Sequence, residues 1–475
     1  MPDTAVVSTP KPAKSLLWVL VAAGAITSIT LGIRSTFGLF LLPVAEALGT
    51  NRAGFALAIA IQNLVWGLGQ PIAGGVADRY GAPKVLAVGG GLYAVGVFGM
   101  SRSTSTTAFY LSGGLLVGMA MAAASFSVVL AAVGRLAPPE RRTWAIGIVT
   151  AAGSLGQFLL VPTAGWLDVR IGWRAAMAAL GSIALLVVAL SFVLREPRST
   201  GVDGASGPSG TATAEAEPFR LAISRALRHP SYLLLCLGFL VCGFHVTFIG
   251  THLPSYLGDL GMSKGAGARA IALIGLFNVI GAFSAGMLAN RFPKNVLLSV
   301  IYGLRAVAIV GLVLLPHTPG VVMAFAAVMG LLWLSTVPLT SGIVVGQFGV
   351  ANAGSLFGVV FLFHQIGAFI GVWYGGKLAD ATGSYDVVWW IAVALGLFAA
   401  LINLFVSDKP APPLPVRMAG APGLGAAAGM ASVLAIAAVS GVGAALAGGE
   451  RAGAEGAAGT AGVATVPYCV LHPAS

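Results

Sequence analysis

Long apolar runs are the feature that most restricts how this chain can fold. A helix needs about 20 residues to cross the ~30 Å hydrocarbon core of a bilayer, and the sequence contains twelve runs of roughly that length. Because lipid offers the backbone no hydrogen-bond partner, each run is predicted to be a transmembrane α-helix, and the predicted fold class is an all-α polytopic membrane protein. The predicted spans are 16–42, 53–77, 84–101, 107–133, 143–166, 173–194, 230–256, 268–289, 294–315, 319–345, 353–376 and 386–406.

The composition excludes a soluble domain of this length. Hydrophobic residues make up 57% of the chain and charged residues only 9%, far from the values of soluble domains. The 66 glycines indicate helices that pack closely through small faces, as in the stripe Gly367, Gly371 and Gly375. Two of the three cysteines, Cys236 and Cys242, lie inside an apolar run, so no disulfide framework is predicted.

Basic residues are distributed unevenly between the two sides of the predicted membrane. Sixteen Lys and Arg residues fall on the side of the N-terminus and seven on the other, which predicts that both termini are cytoplasmic. This asymmetry explains much of the net charge of +11 without a nucleic-acid partner. The first run continues well beyond a cleavage-like Ala23-Gly24-Ala25, which indicates a retained span. We therefore predict a multi-pass protein of the cell's inner (plasma) membrane.

The longest break between runs divides the spans six and six. Its stretch 199–218 has the composition of a flexible linker. The domain prediction is a cytoplasmic segment 1–15, a six-helix bundle 16–194, a cytoplasmic linker 195–229, a second bundle 230–406 and an Ala/Gly-rich low-complexity tail 407–475. Within the tail, 423–447 is a weak candidate for a further membrane segment.

The two halves are related by a shift of 211 residues. Several residues coincide at this offset, which predicts a duplicated unit. With six spans each, both halves have the same orientation, and two parallel six-helix repeats resemble the major facilitator superfamily, in which substrate binds between the halves. The matching pairs include Gly32 and Gly243, Phe37 and Phe248, Pro43 and Pro254, Gly156 and Gly367, and Gly172 and Gly383.

The loop after span 2 resembles that superfamily by motif. It reads GGVADRYGAPK, and a degraded copy, GMLANRFPK, follows span 8. In the superfamily this loop holds the two halves together on the cytoplasmic side. The resemblance therefore implies a gating role for Gly74, Asp78 and Arg79, with Arg135 as an ionic partner. The alternative is that these are ordinary charges at helix ends.

No acidic residue lies in the middle of a predicted span. The ionisable groups inside the spans are instead cationic or can become so: Arg34, His245, His252, Arg305 and His364. A charge at the bilayer centre costs about 2.5 to 3.5 kcal/mol on the translocon scale. An arginine without a buried acidic partner therefore indicates a binding site for an anion.

The repeat pairs Arg34 with His245, since 245 − 34 = 211. We predict that these two groups face one another across a central cavity and bind substrate. The alternative for His245 is a structural hydrogen bond to a neighbouring helix, and for His252, near a span end, that role is preferred. Arg305 belongs to a span that is peripheral in the superfamily, so support or snorkelling is expected.

Four further residues are predicted to bind substrate. His364 and Gln365 stand at the centre of span 11 where the first half has Gly153 and Ser154. Asn278 in span 8 and Trp333 in span 10 add polar and aromatic surface near mid-depth. Most polar groups at this depth are expected to hold helices together.

Three stretches resemble the monocarboxylate transporters and the related oxalate/formate exchangers. They are GIRSTFGLFLLP in span 1, GFHVTFIGTHLPSYL in span 7 and HQIG in span 11, within a resemblance that covers roughly 15–406. The exchangers place an arginine in span 8 and a lysine in span 11, where this chain has Asn278 and His364. A single fixed arginine fits a monocarboxylate better than a dianion, and the resemblance implies proton-linked symport.

The predicted function is secondary active transport of small organic anions, above all monocarboxylates, by alternating access. Histidine changes charge near neutral pH, so His364 or His245 is a candidate carrier of a coupled proton. The alternatives are an exchanger of dicarboxylates or other organic anions, and a transporter-like receptor without transport. An enzyme is disfavoured because no catalytic set can be recognised. The predicted partners are a carboxylate, protons and the bilayer, with no cofactor or metal, and the protein is expected to be a monomer.

Overall fold

The structure, a computed structural model, describes residues 16–138, 141–195, 219–349 and 353–411, apart from the side chains of five residues within them. The regular structure of these residues is helical, which confirms the predicted fold class. The α-helices are α1 Leu16–Thr36, α2 Leu41–Ala47, α3 Arg52–Tyr80, α4 Ala82–Arg102, α5 Thr106–Phe109, α6 Val117–Ala123, α7 Phe126–Leu136, α8 Arg142–Ala184, α9 Leu186–Ser191, α10 Phe219–Leu227, α11 Pro230–Asp259, α12 Lys264–Leu288, α13 Lys294–Leu314, α14 Pro319–Leu332, α15 Thr336–Phe348, α16 Ala353–Thr382 and α17 Asp386–Leu404.

The predicted spans are found as helices. In the described ranges, eleven helical segments are long and apolar enough to cross a membrane, and one of them, Trp144–Leu194, covers two predicted spans. Gly172 separates the two at φ 77°, a conformation that glycine adopts without steric cost. Span 10 consists of α14 and α15 with a break at Trp333–Ser335. Such a break inside a membrane span leaves backbone carbonyls that need other partners.

The buried apolar residues form two clusters. One runs from Val19 to Leu194 and adds Val372 from α16, and the other runs from Ala226 to Ala411 and adds Val161 from α8. The predicted linker 195–229 includes α10, while its stretch 196–218 lies outside the described residues. The predictions for segment 1–15 and for the tail beyond residue 411, including 423–447, also lie outside them.

Both halves use the same glycine-mediated helix crossing. A Cβ atom added to Gly32 of α1 would lie 2.7 Å from the carbonyl oxygen of Gly156 in α8. In the second half, a Cβ atom on Gly243 of α11 or on Gly367 of α16 would overlap the backbone of the opposite helix. Gly371 continues this contact, because its Cβ atom would lie 2.7 Å from the carbonyl oxygen of Phe244. The packed positions are those that the 211-residue shift makes equivalent.

The two halves touch along α3 with α16 and along α8 with α12. A Cβ atom on Gly67 would lie 2.8 Å from the Gln365 side chain, and one on Gly275 would lie 2.9 Å from that of Gln157. Nearer the beginning of α3, a Cβ atom on Gly376 would lie 2.9 Å from Ala53. We call this end of the bundle the Arg52 end and the opposite end the Arg79 end.

The same four helices separate toward the Arg79 end. Gly74 of α3, Gly147 of α8, Gly286 of α12 and Gly358 of α16 have no atom of another described helix within 4 Å of where a Cβ would stand. The glycine contacts between the halves at Gly67, Gly275 and Gly376 therefore have no counterpart at these four glycines of the Arg79 end.

Candidate functional site

Arg34 occupies the last turn of α1, next to α3. Its Nη2 donates a hydrogen bond of 2.7 Å to Asn63 Oδ1, and its guanidinium carbon lies 5.2 Å from the centre of the Trp66 ring. The amide of Asn63 is oriented by its own 2.7 Å bond to the carbonyl oxygen of Ile59. Among the described side chains, no carboxylate forms an ion pair with Arg34. The partners of this cation within the described residues are therefore neutral.

A row of aromatic side chains runs from Arg34 into the second half of the chain. Trp66 meets Phe361 of α16 edge to face, with ring centres 5.2 Å apart. Phe361 in turn stacks on His364, with ring centres 5.6 Å apart and an interplanar angle of 7°. We call Trp66, Phe361 and His364 the aromatic row. It connects the Arg34 guanidinium to one of the predicted substrate-binding residues across the interface of the two halves.

In the described ranges, four buried polar atoms without hydrogen-bond partners lie in this row or next to it. They are Trp66 Nε1, His364 Nδ1 and both amide atoms of Gln365. Buried polar groups are normally hydrogen-bonded, so such a group requires an explanation. Together with Arg34, these atoms offer donors and an acceptor where α1, α3 and α16 meet.

The structure does not place His245 opposite Arg34. The ring of His245 is fully buried, and its Nε2 lies 2.8 Å from the carbonyl oxygen of Ala392 in α17. The repeat equates the two backbone positions, but the histidine side chain turns toward a helix of its own half. The alternative of a structural hydrogen bond to a neighbouring helix describes this geometry. His252 has the structural role predicted for it, with Nε2 2.8 Å from the Val372 carbonyl oxygen and Nδ1 3.0 Å from the Tyr385 hydroxyl.

Asn278 and Trp333 also lie apart from Arg34. Asn278 donates to Ser154 Oγ at 2.9 Å and accepts from the Leu334 backbone N–H at 2.9 Å. The amide nitrogen thus connects α12 to α8 across the interface of the halves, and the amide oxygen connects α12 to the break in span 10. Trp333 lies at the break of span 10 and packs in the core of the second half. Neither contributes to the group around Arg34.

The predicted gating residues lie at or near the Arg79 end. Gly74 faces open space, and Arg79 is exposed with its guanidinium carbon 5.4 Å from the Tyr80 ring centre. Arg135 is exposed in the last turn of α7. The side chain of Asp78 lies outside the described residues, so its pairing with Arg135 stays a prediction.

The Arg52 end carries an ionic contact that the sequence reasoning missed. Both Nη atoms of Arg52 donate to the carboxylate of Asp259 in α11, at 2.5 and 2.7 Å. Asp380 of α16 accepts from the backbone N–H groups of Arg52 and Ala53, at 3.2 and 2.7 Å. We call Arg52, Asp259 and Asp380 the latch. The available signal was that spans 2, 7 and 11 have charges at their predicted outer ends, but their pairing requires the packing of the two halves.

The comparisons agree with this architecture. A family model described as Major Facilitator Superfamily matches residues 22–372. The chain belongs to the Major Facilitator Superfamily. Among solved structures, this superfamily member is similar to a bacterial homolog to the human lysosomal transporter Spinster, in an inward-facing and unoccupied conformation. The TM-score is 0.64 at 16% identity, over 84% of this chain and 99% of that chain, which supports the fold.

Relatives of this superfamily member are named as transporters. It is 25% identical to "Monocarboxylate transporter 13" of Bos taurus over 402 residues, which cover 83% of this chain and 91% of the relative. It is 27% identical to "Monocarboxylate transporter 11" of Homo sapiens over 418 residues, covering 85% and 86%. It is 25% identical to "Uncharacterized MFS-type transporter YcxA" of Bacillus subtilis (strain 168) over 387 residues, covering 78% and 90%. The family predicted from the repeat and the loop motif is confirmed.

Proposed function

We propose that this superfamily member is a secondary carrier of small monocarboxylates that works by alternating access. The observation that carries the proposal is the position of Arg34, a cation with neutral partners at the interface of the two halves. Membrane spans retain an arginine at such depth when it has a function, because the unpaired charge is costly. The names of the relatives support transport rather than catalysis.

The surroundings of Arg34 suit a carboxylate. A guanidinium presents parallel donors that match the two oxygens of a carboxylate, and such charge-assisted pairs are stronger than neutral hydrogen bonds. Asn63 is the acceptor of the one hydrogen bond described for the Arg34 side chain, which leaves other N–H groups for a ligand. The ring of Trp66 and the unpartnered amide of Gln365 can contact the remainder of a small acid.

A single fixed cation favours a monocarboxylate over a dicarboxylate. Arg305, the fully buried arginine of the described spans, directs its N–H groups to backbone carbonyls and a thiol rather than to the Arg34 group. His364, the ionisable group of the aromatic row, is neutral in its deprotonated form. A dianion would therefore leave one carboxylate without a permanent cation, and burying an unpaired charge is unfavourable.

Alternating access accounts for the asymmetric interface of the halves. The bundle is closed at the Arg52 end by the latch and open at the Arg79 end. If both termini are cytoplasmic, as the distribution of basic residues predicts, the Arg79 end is the cytoplasmic end and this conformation faces inward. Release of the latch would open the opposite side, and the loop with Gly74, Asp78 and Arg79 would then close the cytoplasmic side, with Arg135 as partner.

Counterflow in proteoliposomes tests the proposal. Vesicles loaded with unlabelled pyruvate should take up labelled pyruvate, and lactate should compete whereas the uncharged amide of lactate should not. Arg34→Gln should abolish this saturable uptake, because the charge that binds the carboxylate is gone. The matched control is Arg170→Gln: Arg170 also lies over a tryptophan, 5.7 Å from the Trp166 ring centre, but is exposed at the surface. Uptake by Arg34→Gln with unaltered affinity would refute the binding role.

The same vesicles separate the alternatives. Carboxylate binding without counterflow would indicate a receptor. Counterflow of oxalate or malonate in preference to pyruvate would indicate a dicarboxylate exchanger.

A further inference from the structure

Arg305 of α13 is a buried cation that does not reach the membrane surface. It is fully buried, so snorkelling, one of its two expected roles, is wrong. Its Nε and Nη2 donate to the carbonyl oxygen of Leu332 at 3.2 and 2.6 Å, and Nη2 also donates to that of Trp333 at 2.6 Å. These carbonyls are the ones freed by the break between α14 and α15. Arg305 therefore donates hydrogen bonds to the carbonyl oxygens left free by the break in span 10. Its charge has no carboxylate partner in the described ranges.

The remaining contact of Arg305 is with a thiol. Its Nη1 lies 3.4 Å from Cys242 Sγ in α11, and Thr336 Oγ1 of α15 lies 3.3 Å from the same sulfur. His364 of α16 packs against the same turn of α11, because a Cβ atom on Gly243 would overlap the His364 carbonyl oxygen. The buried Nδ1 of His364 has no hydrogen-bond partner in the described ranges. We call Cys242, Arg305, Thr336 and His364 the thiol cluster. Because His364 also ends the aromatic row, the cluster adjoins the Arg34 site.

The titratable groups that face Cys242 include no carboxylate within the described residues. From α13 they are Arg305 and the Tyr302 hydroxyl, and from α16 the group is His364. On α11 itself, His245 stands one turn further along and is bonded to α17. The Arg305 guanidinium and the Thr336 hydroxyl lie against the Cys242 sulfur, which can exist as a thiol or as a thiolate. The thiolate would supply the negative charge that Arg305 otherwise lacks.

We propose that Cys242 and His364 together hold the proton that is coupled to carboxylate transport. The proposal rests on the function proposed above. A proton from water in the open cleft binds His364 and passes to the Cys242 thiolate, forming S–H; the reverse transfer returns it to water. No bond other than those to this proton changes. Protonation leaves Arg305 uncompensated, so the interior becomes more positive and binding of an anion at Arg34 becomes more favourable.

Accumulation of labelled pyruvate in proteoliposomes under a pH gradient tests this coupling. For symport of one proton, a gradient of one pH unit supports about tenfold accumulation. Cys242→Ser retains a hydroxyl for the hydrogen bond but cannot ionise. This variant should therefore retain counterflow but lose the accumulation driven by the pH gradient, a fall of about tenfold in the accumulation ratio. The control is Cys236→Ser, which replaces the other described cysteine, on the same helix but outside the thiol cluster, and should accumulate pyruvate like the unmodified protein.

Cys242→Asp provides a second readout. A carboxylate has an ordinary pKa of about 3.9 against about 8.5 for a thiol, so this variant should retain accumulation with its pH dependence moved to lower pH. A structural role of Cys242 would not produce such a shift. If Cys242→Ser fails to reach the membrane, the pH dependence of accumulation by Cys242→Asp tests the proposal, and an unshifted pH dependence would refute the role of Cys242.

The outcomes separate this inference from the proposed function. If the unmodified protein gives neither counterflow nor accumulation with pyruvate, lactate or acetate, the proposed function fails. If it shows counterflow but ignores the pH gradient, or if Cys242→Ser accumulates pyruvate as well as Cys236→Ser, the proton site is refuted while the carrier function stands.

Discussion

The latch at the Arg52 end supports a quantitative prediction about the conformational equilibrium. Asp259→Asn removes the charge that both Nη atoms of Arg52 contact, while nearly preserving the shape of the side chain. The Arg52 and Asp259 side chains are 24% and 35% exposed, so water screens the pair. Exposed pairs contribute about 0.2 to 1 kcal/mol, and the bidentate geometry places this one near the upper value.

A loss of about 1 kcal/mol should raise the population open at the Arg52 end about fivefold relative to the closed one. The latch joins α3 of the first half to α11 and α16 of the second, so breaking it favours separation of the halves there. Spin labels at the exposed positions Thr104 and Ala381, one in each half, would detect the separation of the halves as a larger fraction of long label-to-label distances. High salt should reduce the difference between Asp259→Asn and the unmodified protein.

A double-mutant cycle identifies the origin of the effect. If the ion pair is responsible, Arg52→Gln with Asp259→Asn should shift the distances no further than either single change does. Asp380→Asn should act independently, because Asp380 accepts from backbone N–H groups at the N-terminus of α3 rather than from the guanidinium. Unchanged distances in both single variants would refute the role of the pair in holding this end closed.

The remaining predictions concern topology, binding and packing. Tags at Thr213 and after Lys409 should be accessible from the cytoplasm alone, and labelling of either from outside intact cells would overturn the orientation. Arg34→Lys should retain saturable uptake with the Kd of pyruvate raised about tenfold, because a point charge replaces a bidentate donor; an unchanged Kd would contradict this geometry. Gly371→Ala should lose about 1 to 3 kcal/mol of stability, since its Cβ would meet the α11 backbone. The control Gly91→Ala, in α4 with no atom within 4 Å, should melt at an unchanged or higher temperature in detergent.

Much of the candidate site was predictable as a set of residues but not as a geometry. Arg34 could be selected as a candidate because a cation inside an apolar run is energetically costly. His364 and Gln365 could be identified because they break the similarity between the two halves. The mistaken pairing of Arg34 with His245 shows the limit of that reasoning. A repeat equates backbone positions, whereas the direction of a side chain depends on which neighbouring helix it meets.

The sequence by itself determined the transmembrane helices, their duplication, the family and the presence of an arginine in span 1, with no acidic residue in the middle of any predicted span. These properties depend on local hydropathy, on helix length relative to the bilayer and on spacing along one chain, all of which can be read without knowledge of packing. Only the tertiary structure decided that Trp66 and Phe361 connect Arg34 to His364, that Arg52 meets Asp259, and that Arg305 lies against Cys242. The members of each such pair stand on helices far apart in the chain. Their contact depends on the rotation and approach of whole helices, which close glycine packing sets.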